Sequence, residues 1–370
     1  MQIRPYHIAI PQPAIDDLHA RLALTRWPDE VNDDAWGWGT PLPFLQDLVA
    51  HWRDTFDWRA QEARLNQWPQ FLATIDGQDI HFAHLKGRGP DPFPLILVHG
   101  WPGSFVEFEG IAPMLIEAGY SLVIPSLPGF GFSARPTGPM GPAEIGRLFA
   151  KLMAGLGYTR YGAQGGDWGA AVSTAIAQAA PAQVTGIHLN LIMRLLAVLP
   201  TEGLSEAERD YLRDLQRWTD AEGGYSHIQG TRPQTLGYAL TDSPAGLAAW
   251  IAEKFRVWSD CDGDPYTCYT RDQLLTNIAI YWFTNTAASS LRIYKSRTLS
   301  QPQLAAGERI QVPFGHARFP KEIFRPPREW AERIYNVVHW TEMPKGGHFA
   351  AMEQPRLLAD DIHAFFSKQR

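Results

Sequence analysis

The spacing of apolar positions along this chain changes twice, and the changes divide it. Through residues 1 to 75, apolar residues recur at helical spacing over two stretches, roughly Ala14 to Thr25 and Pro43 to Phe56. Extended, tryptophan-studded pieces surround them, so this part reads as an extension packed on a core. From "FLATIDGQDIHFAHL" the texture becomes a hairpin turning at Asp76-Gly77. Short, continuously apolar strands then alternate with helices: "FPLILVHG", "YSLVIPS", "TRYGAQG" and "VTGIHLN". Continuous apolar strands separated by helices predict a mostly parallel sheet covered on both faces, an α/β fold.

The alternation stops between about Leu191 and Thr284, a span that reads as helices and polar loops, and returns with "RIQVPFG" and "NVVHWTE". The interruption predicts a helical lid inserted late in one α/β core. The expected division is an extension over 1–75, a first core part over 76–190, a lid over 191–284 and a second core part over 285–370.

Composition narrows the function classes. The 370 residues are 45% hydrophobic, enough for one large core, and the net charge of -6 without a basic cluster argues against nucleic acid or an anionic membrane as partner. The N-terminal stretch shows neither a long apolar run nor a signal-peptide pattern, so a soluble, cytoplasmic protein is expected. Cys261 and Cys268, in "CDGDPYTC", read as two reduced thiols in a loop. No zinc spacing and no nucleotide-binding glycine loop appears, so neither metal nor cofactor is expected. Homo-oligomerisation stays open, since no coiled-coil seam stands out.

The candidate chemistry centres on "QGGDWG", Gln164 to Gly169. A strand-to-helix turn of the form small-x-nucleophile-x-small lets the backbone bend sharply and its neighbours approach closely. Gly165, Gly166 and Gly169 meet that demand around Asp167, although an aspartate there could equally be a helix N-cap. Proteins of this design place nucleophile, acid and histidine in that chain order. Among 12 histidines, His348 stands in a glycine-flanked loop after the last strand. Glu322 follows the preceding strand in "IQVPFGHARFPKE" and is favoured as the acid, with Glu308, Glu329, Glu332 and Glu342 as rivals. In "HGWPGS", the turn after an early strand would supply the backbone N–H of Trp101 to an oxyanion hole, and Trp168 after the nucleophile would supply the second.

Aspartate in place of serine selects the reaction. A carboxylate, ionised at neutral pH, attacks without a base, and an ester formed at a saturated carbon can be hydrolysed afterwards by water that His348 activates. Serine attacking the same carbon would leave an ether. A halide or an epoxide oxygen fits as leaving group, and the epoxide needs an acid such as a tyrosine. The lid region offers Tyr211, Tyr225, Tyr238, Tyr266, Tyr269, Tyr281 and Tyr294, among which local pattern does not choose. Haloalkane dehalogenation and a non-catalytic ligand-binding role are the alternatives.

The stretches "HGWPGSF", "QGGDWG", "GGYSHIQGTRPQTLGYALTDSPAGLAAWI", "SSLRIYKS", "VPFGHARFPKE" and "GGHFAAMEQP", with the extension "IAIPQPAIDDLHARLALTRWPDE", resemble the microsomal-type and juvenile-hormone-type epoxide hydrolases of the α/β-hydrolase fold. The resemblance covers nearly the whole chain. It implies a nucleophile at Asp167, an acid at Glu322, a base at His348 and epoxide-activating hydroxyls at Tyr225 and Tyr294. It also implies water and a small epoxide as substrates, with no cofactor. The hydrophobic N-terminal anchor of membrane-bound members has no counterpart here, so no membrane attachment is expected.

Overall fold

A computed structural model describes residues 1–31, 36–193, 202–297, 304 and 308–370. Among the described residues, nine strands form one sheet: β1 (Gln2–Tyr6), β2 (Gln70–Ile75), β3 (Gln78–Leu85), β4 (Phe93–Val98), β5 (Tyr120–Pro125), β6 (Tyr161–Gly165), β7 (Val184–Leu189), β8 (Ile310–Arg318) and β9 (Tyr335–Glu342). Their spatial order is β1-β2-β3-β5-β4-β6-β7-β8-β9. β1, β2 and β3 join antiparallel at one side, and β3 pairs antiparallel with β5. From β5 onward every neighbouring pair is parallel. The α/β reading therefore holds.

The central strands are apolar throughout because helices cover both faces. Leu95, Ile96, Leu97 and Val98 of β4 are all fully buried, each side chain contributing about 1.5–3 kcal/mol by leaving water. The hairpin turns at Asp76 and Gly77, both in the left-handed region. The predicted N-terminal helices lie at Gln12–Ala23 and Leu42–Asp54, and a third, Trp58–Leu65, escaped the sequence reading. That third helix has mean hydropathy well on the polar side, and Glu62 within it earns its place by tying the chain down. Its carboxylate accepts the N–H of Ile10 (2.6 Å) and the indole N–H of Trp58 (3.2 Å).

Between β7 and β8 stand the helices Glu206–Glu222, Gly224–Thr231, Pro233–Asp242, Pro244–Val257, Arg271–Phe283 and Ala287–Ser296. The last of these lies beyond the Thr284 limit read from the sequence. The N-terminal segment braces this insertion: Thr40 donates to the carbonyl of Ala249, Arg271 pairs with Asp47 (2.7 Å) and His51 with Asp272 (2.7 Å). Among the described residues, no helix is long and apolar enough to cross a membrane. The parallel register aligns Val98 with Gly165 and Gly165 with Leu189, so the segments following β4, β6 and β7 converge at one edge of the sheet. In open α/β sheets, that carboxyl edge is where ligands bind.

Candidate active site

Asp167 is the first residue of the helix Asp167–Ala179 and holds a left-handed φ of 47°. Such a conformation is unusual for a residue with a side chain, though aspartate tolerates it better than most. Two glycines make the turn possible by close approach. A Cβ on Gly169 would fall on the carbonyl of Val98, and one on Gly100 would fall on the Asp167 carboxylate itself. The N-cap position belongs to Gly166, and the Asp167 side chain turns away from a capping role. Its Oδ1 accepts the backbone N–H of Trp101 at 2.8 Å.

His348 lies on the other oxygen, with Nε2 3.3 Å from Asp167 Oδ2. Its Nδ1 is 2.6 Å from Glu322 Oε1. A loop-to-loop contact creates this pairing: Lys321 bridges Gly347 in parallel fashion, and the Lys321 N–H donates to the carbonyl of Gly346. Glu322 is itself fixed by the N–H of Ile323 (2.7 Å). Of the rival acids, Glu342 pairs with Arg318 and Glu332 with Arg328, and Glu329 accepts from Ser205. Burial alone would lower the histidine's pKa, but the charges of Glu322 and Asp167 and their hydrogen bonds outweigh it and hold the imidazolium well above the ordinary range.

The other predicted residues gather over the same carboxylate. Tyr225 lies on the helix Gly224–Thr231 and Tyr294 on Ala287–Ser296, and both are buried. Their rings meet edge to face at 5.8 Å. Trp101 stacks on Tyr225 (5.5 Å, 11°) and Trp168 packs edge-on to Tyr294 (4.8 Å). The Tyr294 hydroxyl is buried beside the Tyr225 hydroxyl and the Trp168 indole. Burial raises both phenols most; next comes the charge of Asp167 for Tyr225, and for Tyr294 the neighbouring Tyr225 and then Asp167, so both stay protonated. Trp168 follows Asp167 in the first helical turn, where backbone N–H groups have no intrahelical acceptor. Of the two expected oxyanion donors, only Trp101 bonds the carboxylate in this geometry. The loop carrying Trp101 is pinned from the insertion: Asn277 donates to the carbonyl of Pro102 (2.7 Å) and Tyr281 to that of Gly103 (2.5 Å).

Three neighbours were not singled out by the sequence reading. Trp258 accepts the backbone N–H of His348 on its carbonyl (2.8 Å) and packs its ring against the imidazole (5.1 Å). Lys254, buried, sets its ammonium over the Tyr225 ring at 4.7 Å. Glu353 accepts the N–H groups of Gly347 (2.9 Å), Phe349 (2.9 Å) and Asp260 (2.8 Å), clasping both flanks of the histidine to the insertion. An acid five residues after a glycine-flanked histidine is the one sequence signal for it. Glu353→Ala leaves those three donors without their acceptor, and a loss of about 2 kcal/mol in urea unfolding is expected. Among the described residues, no three His, Cys, Asp or Glu side chains converge as metal ligands would.

Comparison with known proteins agrees with this arrangement. The family described as "Epoxide hydrolase N terminus" matches residues 3–108, and "alpha/beta hydrolase fold" matches residues 94–222. Epoxide hydrolase 1 of Sus scrofa is 38% identical, over 98% of this chain and 88% of its own. Among solved structures, the Aspergillus niger epoxide hydrolase superposes with a TM-score of 0.88 at 33% identity, covering 100% of this chain and 97% of that one. The juvenile hormone epoxide hydrolase of the silkworm Bombyx mori superposes at 0.90 with 30% identity, over 100% and 95% of the two chains. With relatives this similar along its whole length, the chain belongs to the epoxide hydrolases of the α/β-hydrolase fold.

Proposed function

We propose that this protein converts a lipophilic epoxide and water into a vicinal diol through an ester on Asp167. The observation that carries the reading is a carboxylate at the elbow. Its Oδ1 is held by the N–H of Trp101, its Oδ2 faces His348, and two buried phenols pack above it.

In the first step Asp167 attacks an oxirane carbon, the C–O bond breaks, and Tyr225 or Tyr294 gives its proton to the leaving oxygen. The tyrosinate then recovers a proton at the expense of the His348 imidazolium. Forming the ester removes the negative charge of Asp167, one of the groups that hold the histidine protonated. Neutral His348, oriented by Glu322, takes a proton from water while the water oxygen bonds to the ester carbonyl carbon. The N–H of Trp101, with that of Trp168 as second donor, stabilises the resulting oxyanion. On collapse the diol oxygen takes the proton from His348, and the Asp167 acid returns its own proton to the histidine. The cycle closes with no cofactor. The helices described between β7 and β8 act as the lid, and the indoles of Trp101, Trp168 and Trp258 give the pocket its preference for apolar substituents.

The test is a single turnover with enzyme in excess over a styrene-type epoxide in isotopically labelled water. The first diol should carry unlabelled oxygen from Asp167, and label should appear in the enzyme; label in the first diol would point to direct attack by water. The Tyr225→Phe/Tyr294→Phe double variant should lose about 10²- to 10⁴-fold in kcat/KM, the usual worth of a general acid. Equal turnover by the double variant and the wild type in a diol assay would remove the tyrosines from the mechanism.

A further inference from the structure

One carboxyl group beside the catalytic residues has no role in the steps above. Glu107 lies on the short helix Phe105–Phe108, just after the loop that carries Trp101. Its side chain folds back over Gly103, filling the space where a Cβ at that position would stand. The carboxyl thereby reaches a cavity of about 20 Å³ that it lines together with Gln164, Asp167, Asn190 and His348. Tyr225 and Tyr294 do not line it.

The size and lining of this cavity suit one water molecule. A water centre needs roughly 10–15 Å³ and about two to four polar partners. Gln164 is 1% exposed, and its Oε1 is buried with no hydrogen-bond partner among the described residues. Its Nε2 is already committed to Asn190 Oδ1 at 3.0 Å. The free acceptor, the Glu107 carboxyl and the imidazole of His348 thus border one small space against Asp167.

We infer that this cavity seats the hydrolytic water and that Glu107 positions it, with Gln164 as second partner, for attack on the Asp167 ester. The inference rests on the ester mechanism proposed above. The tyrosines meet the epoxide on one side of Asp167, and the water is delivered from the cavity they do not line. Burial, reinforced by the charge of Asp167, pushes the Glu107 carboxyl up to about 8, against the opposing pull of His348. At neutral pH Glu107 is therefore mainly the protonated acid, which can both donate to and accept from a water held beside His348.

Glu107→Gln tests this by separating the two half-reactions. Ester formation should proceed as in the wild type, while hydrolysis slows about 10- to 100-fold, the cost of leaving one buried partner of the water unsatisfied. The ester should then accumulate during turnover, read as an adduct mass on the intact protein. Because kcat/KM reports steps up to ester formation, kcat and KM should fall together and leave their ratio in place. Glu107→Asp, which keeps the acid, should recover part of the hydrolysis rate. A parallel loss of kcat and kcat/KM in the glutamine variant, or hydrolysis at the wild-type rate, overturns the inference. His348→Gln is the control: if it accumulates ester and Glu107→Gln does not, only the water site fails. If neither accumulates ester, the ester mechanism itself fails.

Discussion

Asp167→Asn is expected to lower kcat/KM for epoxide hydrolysis by about 10⁴-fold or more, the scale on which removing a nucleophile acts. Asparagine is the informative replacement because it keeps the shape of the turn. Asp167 holds φ at 47°, and asparagine tolerates the left-handed region better than alanine. Its side-chain oxygen can still accept the N–H of Trp101, so the fold and the donor loop should survive while the attacking charge is lost. Urea unfolding should show a small change only, separating lost chemistry from lost structure. A variant folded like the wild type that still formed diol at a comparable rate would exclude attack by this carboxylate.

The turn at Asp167 was legible because its demands are local. Small residues must surround it, a strand must lead in and a helix must follow, and each of these leaves a mark within a dozen residues. The parallel strands were legible for a similar reason, since burial on both faces makes each a continuous apolar run. Choosing among the acids was harder. What brings Glu322 to His348 is a bridge between Lys321 and Gly347, a contact between two loops that no local period records. Tyr225 and Tyr294 likewise meet only because the helices Gly224–Thr231 and Ala287–Ser296 pack together over Trp101. The resemblance to known enzymes singled them out where periodicity could not. Glu107 and Glu353 were passed over because a single acid among the apolar residues of a short helix carries no pattern that says which way its side chain turns. Their side chains instead turn inward to a cavity and to three backbone donors.

His348→Gln should halt the enzyme halfway. Attack by Asp167 needs no base, so the variant should take up one equivalent of epoxide and stop as the ester. Turnover should fall by about 10²- to 10⁴-fold, as expected for loss of a general base. Intact mass should show the protein heavier by one substrate, stable after excess epoxide is removed. The wild type should approach the same state in acid. While Asp167 is ionised, two carboxylates hold the imidazolium; in the ester, Glu322 is the one left to do so. The histidine's pKa in the ester is therefore lower than in the free enzyme, and hydrolysis requires its neutral form. As pH falls through that lower value, hydrolysis should slow before ester formation does, and the fraction of enzyme trapped as ester should rise. Rapid-quench mass measurements across pH would check both arms. An ester fraction that stays constant or declines toward acid would mean that His348 is not the base of the second step.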